Sequence, residues 1–277
     1  MKVIVADQAG VCFGVKRALD LVNAEAEHGG EIATLGPLIH NPQVVHDLEC
    51  KGVRVVKRVS EVARGTIVMP SHGVARDVTK SAEAAGLRVV DAACPFVEKV
   101  HRRVERLAKD GYVVVVVGDA GHSEVKAIKS AAGDDAVVVS SPEDVESVDW
   151  SGKKAGIVSQ TTQTPWRFGE IVGMIAARAM EVVAYNTICY ATHDRQSAAR
   201  ALAPKVEAMF VVGGRNSANT NRLAEICSEE GVPTYHIETA AEVQPGWVVG
   251  MQVVGLTAGA STPEWIIEEV KMQLERM

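Results

Sequence analysis

Short runs rich in Val and Ile alternate along the chain with longer stretches in which apolar residues recur at helical spacing. KVIV precedes GVKRALDLVNAEAEH, TIVM precedes ARDVTKSAEAAG, YVVVVVG precedes SEVKAIKSAAG, and AMFVVGG precedes NRLAEICSEEG. Such alternation predicts βα units built around mainly parallel sheet, an α/β fold. The run Val113 to Val117 is apolar without alternating. That is expected of a strand with helices over both faces.

A coarser repeat overlies the finer one. KVIVADQAGVC leads into FGVKRALDLVNAEAEHGG, LRVVDAAC into PFVEKVHRRVERLAKDG, and EVVAYNTIC into YATHDRQSAARALAPKV. Each time a strand ends, a short polar or small-residue link follows, and a cysteine stands where a helix begins. Three similar α/β units are therefore expected, over residues 13–94, 95–189 and 190–277. The N-terminal strand, within residues 1–12, is free to pair with the third unit rather than the first.

The setting of Cys12, Cys94 and Cys189 bears on their chemistry. A thiol at a helix N-terminus feels unpaired amides and the positive end of the helix dipole, which favour the thiolate, a soft metal ligand. Pro95 suits a first helical position. Three converging thiolates would suit zinc or an iron–sulfur cluster. Short paired C-x-x-C spacings, the usual mark of structural zinc, are absent. A cluster held by three cysteines leaves one iron without a protein ligand, a vacancy for a substrate oxygen. Cys50 and Cys227 lie in or at the end of helical stretches and read as structural thiols facing a core.

Polar turns follow several of the strands: LGPLIHNP, PSHGV, GDAGHSE, VSQTT, GGRNSANTN and TAGAST. In open α/β sheets ligands gather at the carboxyl ends of strands, and helix N-termini there cradle phosphate oxygens. His40, His72 and His122 are candidates for charge-assisted hydrogen bonds to a diphosphate. Glu124, two residues after His122, is the best-placed general acid, because a carboxyl in a closed, partly apolar pocket can hold a proton for delivery. Thr161 and Thr162 offer hydroxyls to orient a substrate alcohol or relay that proton. His28, His46, His101, His193 and His236, in helix-like stretches or ordinary loops, receive no role.

Composition narrows the class. At 277 residues and 47% hydrophobic, the chain can bury a large core and divide into several domains. A net charge of −6, with no long run of Lys or Arg, argues against a nucleic-acid partner. No apolar run approaches the ~20 residues of a membrane span, and MKVIVADQAG lacks the features of a secretory signal. A cytoplasmic setting is expected. There five cysteines argue for metal or redox chemistry rather than disulfides. No G-x-G-x-x-G dinucleotide fingerprint occurs, so reducing equivalents would come from outside the chain.

Taken in order, AGVCFGVKRAL, LGPLIHNPQVV, SHGV, DAACPFVEKVH, GHSEV, SQTT, NTICYATHDRQ, NSANTNRL and TAGASTPEWII span nearly the whole chain and resemble the 4-hydroxy-3-methylbut-2-enyl diphosphate reductase family. The resemblance implies three α/β domains in a pseudo-threefold trefoil around one central [4Fe–4S] cluster, ligated by Cys12, Cys94 and Cys189. It implies reductive dehydroxylation of an allylic diphosphate, by two electrons and two protons, to isopentenyl and dimethylallyl diphosphate in the methylerythritol phosphate route to isoprenoids. A ferredoxin or flavodoxin would be the electron donor. Carried over by motif, His40, His72 and His122 with Thr162, Ser217, Asn219 and Ser261 hold the diphosphate, and Glu124 and Thr161 serve the proton path, the adjacent threonines leaving that last choice open by one residue. Ala218 stands where some members carry a second Ser, so only its backbone amide can reach phosphate. Two other readings compete: a nucleotide-dependent α/β dehydrogenase, and a cytosolic iron–sulfur or thiol redox sensor.

Overall fold

The computed structural model describes all 277 residues, and they form two compact units. One comprises Met1–Lys16, Ile39–His46 and Tyr190–Met277; the other comprises Arg17–Leu38 and Asp47–Cys189. In chain order the elements are β1 (Lys2–Val5), α1 (Phe13–His28), β2 (Ile32–Leu35), α2 (Pro42–Cys50), β3 (Val53–Val56), β4 (Thr66–Met69), α3 (Arg76–Ala84), β5 (Arg88–Asp91), α4 (Pro95–Lys109), β6 (Val113–Val117), α5 (Ser123–Ala132) and β7 (Val137–Val139). There follow α6 (Pro142–Glu146), β8 (Lys154–Ser159), α7 (Pro165–Ala176), β9 (Glu181–Ala184), α8 (Tyr190–Leu202), β10 (Met209–Val212), α9 (Ala218–Glu229), β11 (Thr234–Ile237), β12 (Val253–Ala258) and α10 (Glu264–Glu275).

The strands form three four-stranded sheets, ordered β3-β2-β4-β5, β7-β6-β8-β9 and β11-β10-β12-β1, and every pairing is parallel. The three orders are the same. In each, the first strand lies inside, the second flanks it on one side, and the third and fourth follow on the other. The last sheet takes its fourth strand from the start of the chain, with Lys2 opposite Val253 and Val5 opposite Leu256. The α/β expectation holds, and in each sheet the order reverses between the first and third strands, where ligands of such sheets bind.

Burial follows the residue pattern. In the sheet of β10, Phe210 and Val212 pack with Ile266, Val270 and Leu274 of α10, while Met209 and Val211 pack with Ala199 and Leu202 of α8 and Leu223 of α9. In the sheet of β6, Val115 and Val117 meet Phe168, Ile171 and Ile175 of α7, and Val114 and Val116 meet Val100, Val104 and Leu107 of α4. Both faces are covered, which is why β6 needs no polar alternation. Gly156 in β8 lets α4 approach: a Cβ there would lie 2.8 Å from Cδ2 of Leu107. Cys227 is buried, as a structural thiol should be, but Cys50 is exposed at the end of α2 and faces no core. His236 lies in β11 rather than in a helix or loop.

Candidate active site

The loops named from sequence follow the two central strands of each sheet, at its point of reversal. They repeat residue by residue. The fifth position past β2, β6 and β10 is His40, His122 and Ser217, and the third position past β4, β8 and β12 is His72, Thr162 and Ser261. The second position past β4, β8 and β12 supplies a backbone carbonyl, of Ser71, Thr161 and Ala260, and each accepts a hydrogen bond from the N–H of a cysteine. Cys94 donates to Ser71 over 2.9 Å, Cys189 to Thr161 over 3.1 Å, and Cys12 to Ala260 over 3.1 Å.

All three cysteines lie outside any disulfide, partly buried and placed at helix starts, Cys94 being the N-cap of α4 with Pro95 at its first turn. The N–H of Val15 points at the Cys12 sulfur over 3.5 Å. Neither remaining cysteine shares this setting. Burial pushes the Cys227 thiol up to about 12, so it stays protonated, and Cys50 is exposed. Cys12, Cys94 and Cys189 thus share one strand-to-helix setting, and a thiolate there is a soft metal ligand. No group of three or more His, Cys, Asp or Glu side chains is close enough to hold one metal ion. A multi-iron cluster asks for something else, because each thiolate takes a different iron.

In the Arg17–Leu38 and Asp47–Cys189 unit, Glu124 stands in the first turn of α5 and is 3% exposed. Its carboxylate accepts two hydrogen bonds from Thr161, from the backbone N–H at 2.7 Å and from the hydroxyl at 2.9 Å. Burial outweighs these bonds and pushes its pKa up to about 7. His122 caps α5, its Nδ1 accepting the N–H of Glu124 over 3.2 Å. With Nδ1 occupied as an acceptor, the ring proton sits on Nε2, a donor for an anion. The rings of His72 and His122 are neighbours, with centroids 6.5 Å apart. Of the adjacent threonines, Thr161 is the one whose side chain meets Glu124.

In the other unit Ser217 caps α9, its Oγ accepting the N–H of Thr220 over 3.4 Å and keeping its own proton to donate. Ala218 follows as the first residue of α9. Asn219 is 5% exposed, and neither its amide nitrogen nor its amide oxygen has a hydrogen-bond partner. A buried amide left so costs about 1–3 kcal/mol per group, which a polar ligand would recover. Ser261 donates to the carbonyl of His40 over 3.1 Å. Burial holds the His40 ring below the usual histidine range.

Sequence reasoning gave Arg195 no role. Only 4% exposed, it donates to the carbonyl of Gly10, two residues before Cys12, over 2.7 Å, and to that of Ala191, two residues after Cys189, over 2.6 Å. Its sole sequence signal is a cation amid a helix of small residues, which reads equally well as solvated.

Comparison with known proteins gives the chain's family. A family model described as LytB protein matches residues 3–275. The 4-hydroxy-3-methylbut-2-enyl diphosphate reductase of Geobacter sp. (strain M21) is 52% identical over 271 residues, covering 98% of this chain and 95% of that protein. The enzyme of the same name from Geotalea uraniireducens (strain Rf4) is 48% identical over 277 residues, covering 100% and 98%. Among solved structures, one of (E)-4-hydroxy-3-methyl-but-2-enyl diphosphate reductase superposes with a TM-score of 0.71 at 43% identity, covering all of both chains. The E-1-hydroxy-2-methyl-but-2-enyl-4-diphosphate reductase of Plasmodium falciparum superposes with a TM-score of 0.91 at 27% identity, covering 96% of this chain and 86% of that one. A family match across nearly the full length, joined to relatives about half identical, makes the assignment plain: the chain belongs to the LytB protein family.

Proposed function

We propose that this protein is a 4-hydroxy-3-methylbut-2-enyl diphosphate reductase, which removes the allylic hydroxyl as water with two electrons and two protons and yields isopentenyl and dimethylallyl diphosphate. It acts in the methylerythritol phosphate pathway, in the cytoplasm, with a ferredoxin or flavodoxin as donor. The three sheets then mark three repeats, over residues 13–94, 95–189 and 190–277 with 1–12. Cys12, Cys94 and Cys189 would hold one [4Fe–4S] cluster. When bound, the cluster supplies electrons and, at the iron left without a thiolate, a Lewis acid.

The chain's own residues do the rest. His40, His72, His122, Thr162, Ser217 and Asn219, with Ser261 and the backbone amide of Ala218, hold the diphosphate through N–H and O–H donors. Burial raises the Glu124 carboxyl to a pKa of about 7, so about half of it holds a proton at neutral pH. Once protonated it donates to the Thr161 hydroxyl, which is then free to pass its own proton to the departing hydroxyl. A single connection supports this reading above others: Thr161 bonds Glu124 through its side chain while its carbonyl fixes the N–H of Cys189. Proton source and thiolate are thereby tied to one residue. The test is anaerobic turnover of the allylic diphosphate with reduced methyl viologen. Formation of both five-carbon diphosphates is expected, and iron-loaded protein with no turnover refutes the assignment.

A further inference from the structure

Helix α4 begins at Cys94 and carries an unusual charge for this chain. Between Pro95 and Lys109 it has five cations, Lys99, Arg102, Arg103, Arg106 and Lys109, against two carboxylates, Glu98 and Glu105, within a protein of net charge −6. Residues 99, 102, 106 and 109 are spaced to fall on one face, and all four are exposed. Arg106 is held by Asp110 over 3.5 Å, whereas Lys99, Arg102 and Lys109 make neither an ion pair nor a hydrogen bond. The ridge begins about 8 Å along the helix axis from Cys94 and runs for about 15 Å, at 1.5 Å per residue. Exposed Phe96 lies at its cysteine end, 38% accessible.

A recess of about 390 Å³ opens between α3 and α4 beside the ridge, with Lys80 and Arg102 on its wall. Lys80 is likewise unpaired. Glu83, Asp91 and Glu98 also line the recess, which leaves it near neutral and the surplus charge on the ridge. Unpaired cations on a helix running to a proposed cluster ligand match a partner that is acidic and brings electrons. The reduction needs two electrons from outside the substrate, and the chain has no dinucleotide fingerprint of its own to hold a nicotinamide donor.

We propose that the cationic face of α4, Lys99, Arg102, Arg106 and Lys109, is the docking surface for a small acidic electron-carrier protein. This rests on the reductase reading above. Long-range attraction would raise the encounter rate, and the exposed ring of Phe96 would be covered in the complex. The test compares two reductants on the holoenzyme, an acidic plant-type ferredoxin and reduced methyl viologen, using the triple variant K99E/R102E/K109E.

The KM for ferredoxin should rise at least tenfold at low ionic strength and lose its salt dependence, while viologen-driven turnover and the KM for the allylic diphosphate stay within twofold of wild type. A ferredoxin KM equal to that of wild type overturns the proposal. If that variant also elutes earlier from heparin, or loses a self-association seen in wild type, the ridge serves a polyanion or a second copy instead. Should the triple reversal fail to fold, K99Q/R102Q/K109Q is expected to raise the ferredoxin KM severalfold, and an unchanged value again overturns it. Wild-type protein inactive with viologen would count against the reductase reading, not against the surface.

Discussion

Replacing Glu124 with Gln separates the proton-path role from a structural one. The carboxyl is buried, and its pKa is pushed from 4.5 up to about 7. A raised carboxyl pKa means that the folded state binds the proton more tightly than the unfolded chain. Below pH 4.5 both states are protonated and the group has no effect. Between 4.5 and 7 stability falls by about 1.4 kcal/mol per pH unit, and above 7 the full penalty of about 3 kcal/mol is in place. Gln keeps the size, and its amide oxygen can accept the Thr161 N–H, but it carries no ionisable proton. The variant's stability should therefore lack this decline, so that it gains on wild type by about 3 kcal/mol between pH 4.5 and pH 8. Urea unfolding of both proteins across that range measures the difference. In turnover, loss of a general acid should reduce kcat by roughly 10²–10⁴-fold, with diphosphate binding retained. Wild-type kcat should fall as pH rises through about 7, the limb that deprotonates Glu124. A variant that keeps wild-type turnover with the same high-pH limb, or the same stability slope, refutes this account of Glu124.

The remaining tests distinguish residues that sequence leaves alike. Thr161→Val removes the hydroxyl donated to Glu124 and should lower kcat at least tenfold, whereas Thr162→Val should act mainly on KM; the reverse split in steady-state kinetics would exchange their roles. Cys189→Ser should lose its bound iron on anaerobic reconstitution, while Cys50→Ser, at an exposed helix end, should retain iron and activity, as read by iron assay. Gly213 has φ 147°, and a Cβ there would stand 2.6 Å from Thr262 Oγ1 and 2.8 Å from Thr220 Oγ1. Gly213→Ala should thus cost about 1–3 kcal/mol in denaturant unfolding, and an unchanged midpoint would contradict that packing.

What could be read from sequence follows from where the physics is local. Valine runs such as Val113–Val117 announce strands covered on both faces, and Pro95 announces the helix start that puts Cys94 at an N-cap, because both signals lie within a few residues. Pairing of β1 with β12 joins the two ends of the chain, and no local pattern reports it. Adjacent residues in a turn are equally eligible until the fold aims one of them, so only the structure gives Glu124 to Thr161 rather than Thr162. Cys50 shows the opposite failure. An amphipathic stretch leaves its last turn ambiguous, and the thiol assigned to a core ends in solvent. Arg195 is hidden by its neighbours: the backbone carbonyls that it satisfies come from Gly10 and Ala191, and backbone acceptors have no residue-type signature.

Three thiolates and one open iron are what the proposed reductase activity depends on. Mössbauer spectra of anaerobically prepared protein, with and without the allylic diphosphate, test this directly. The prediction is a four-iron cluster in which one iron site differs from the other three and alone shifts when the diphosphate is added. A mononuclear site, or four iron signals that remain unchanged with substrate, would contradict it.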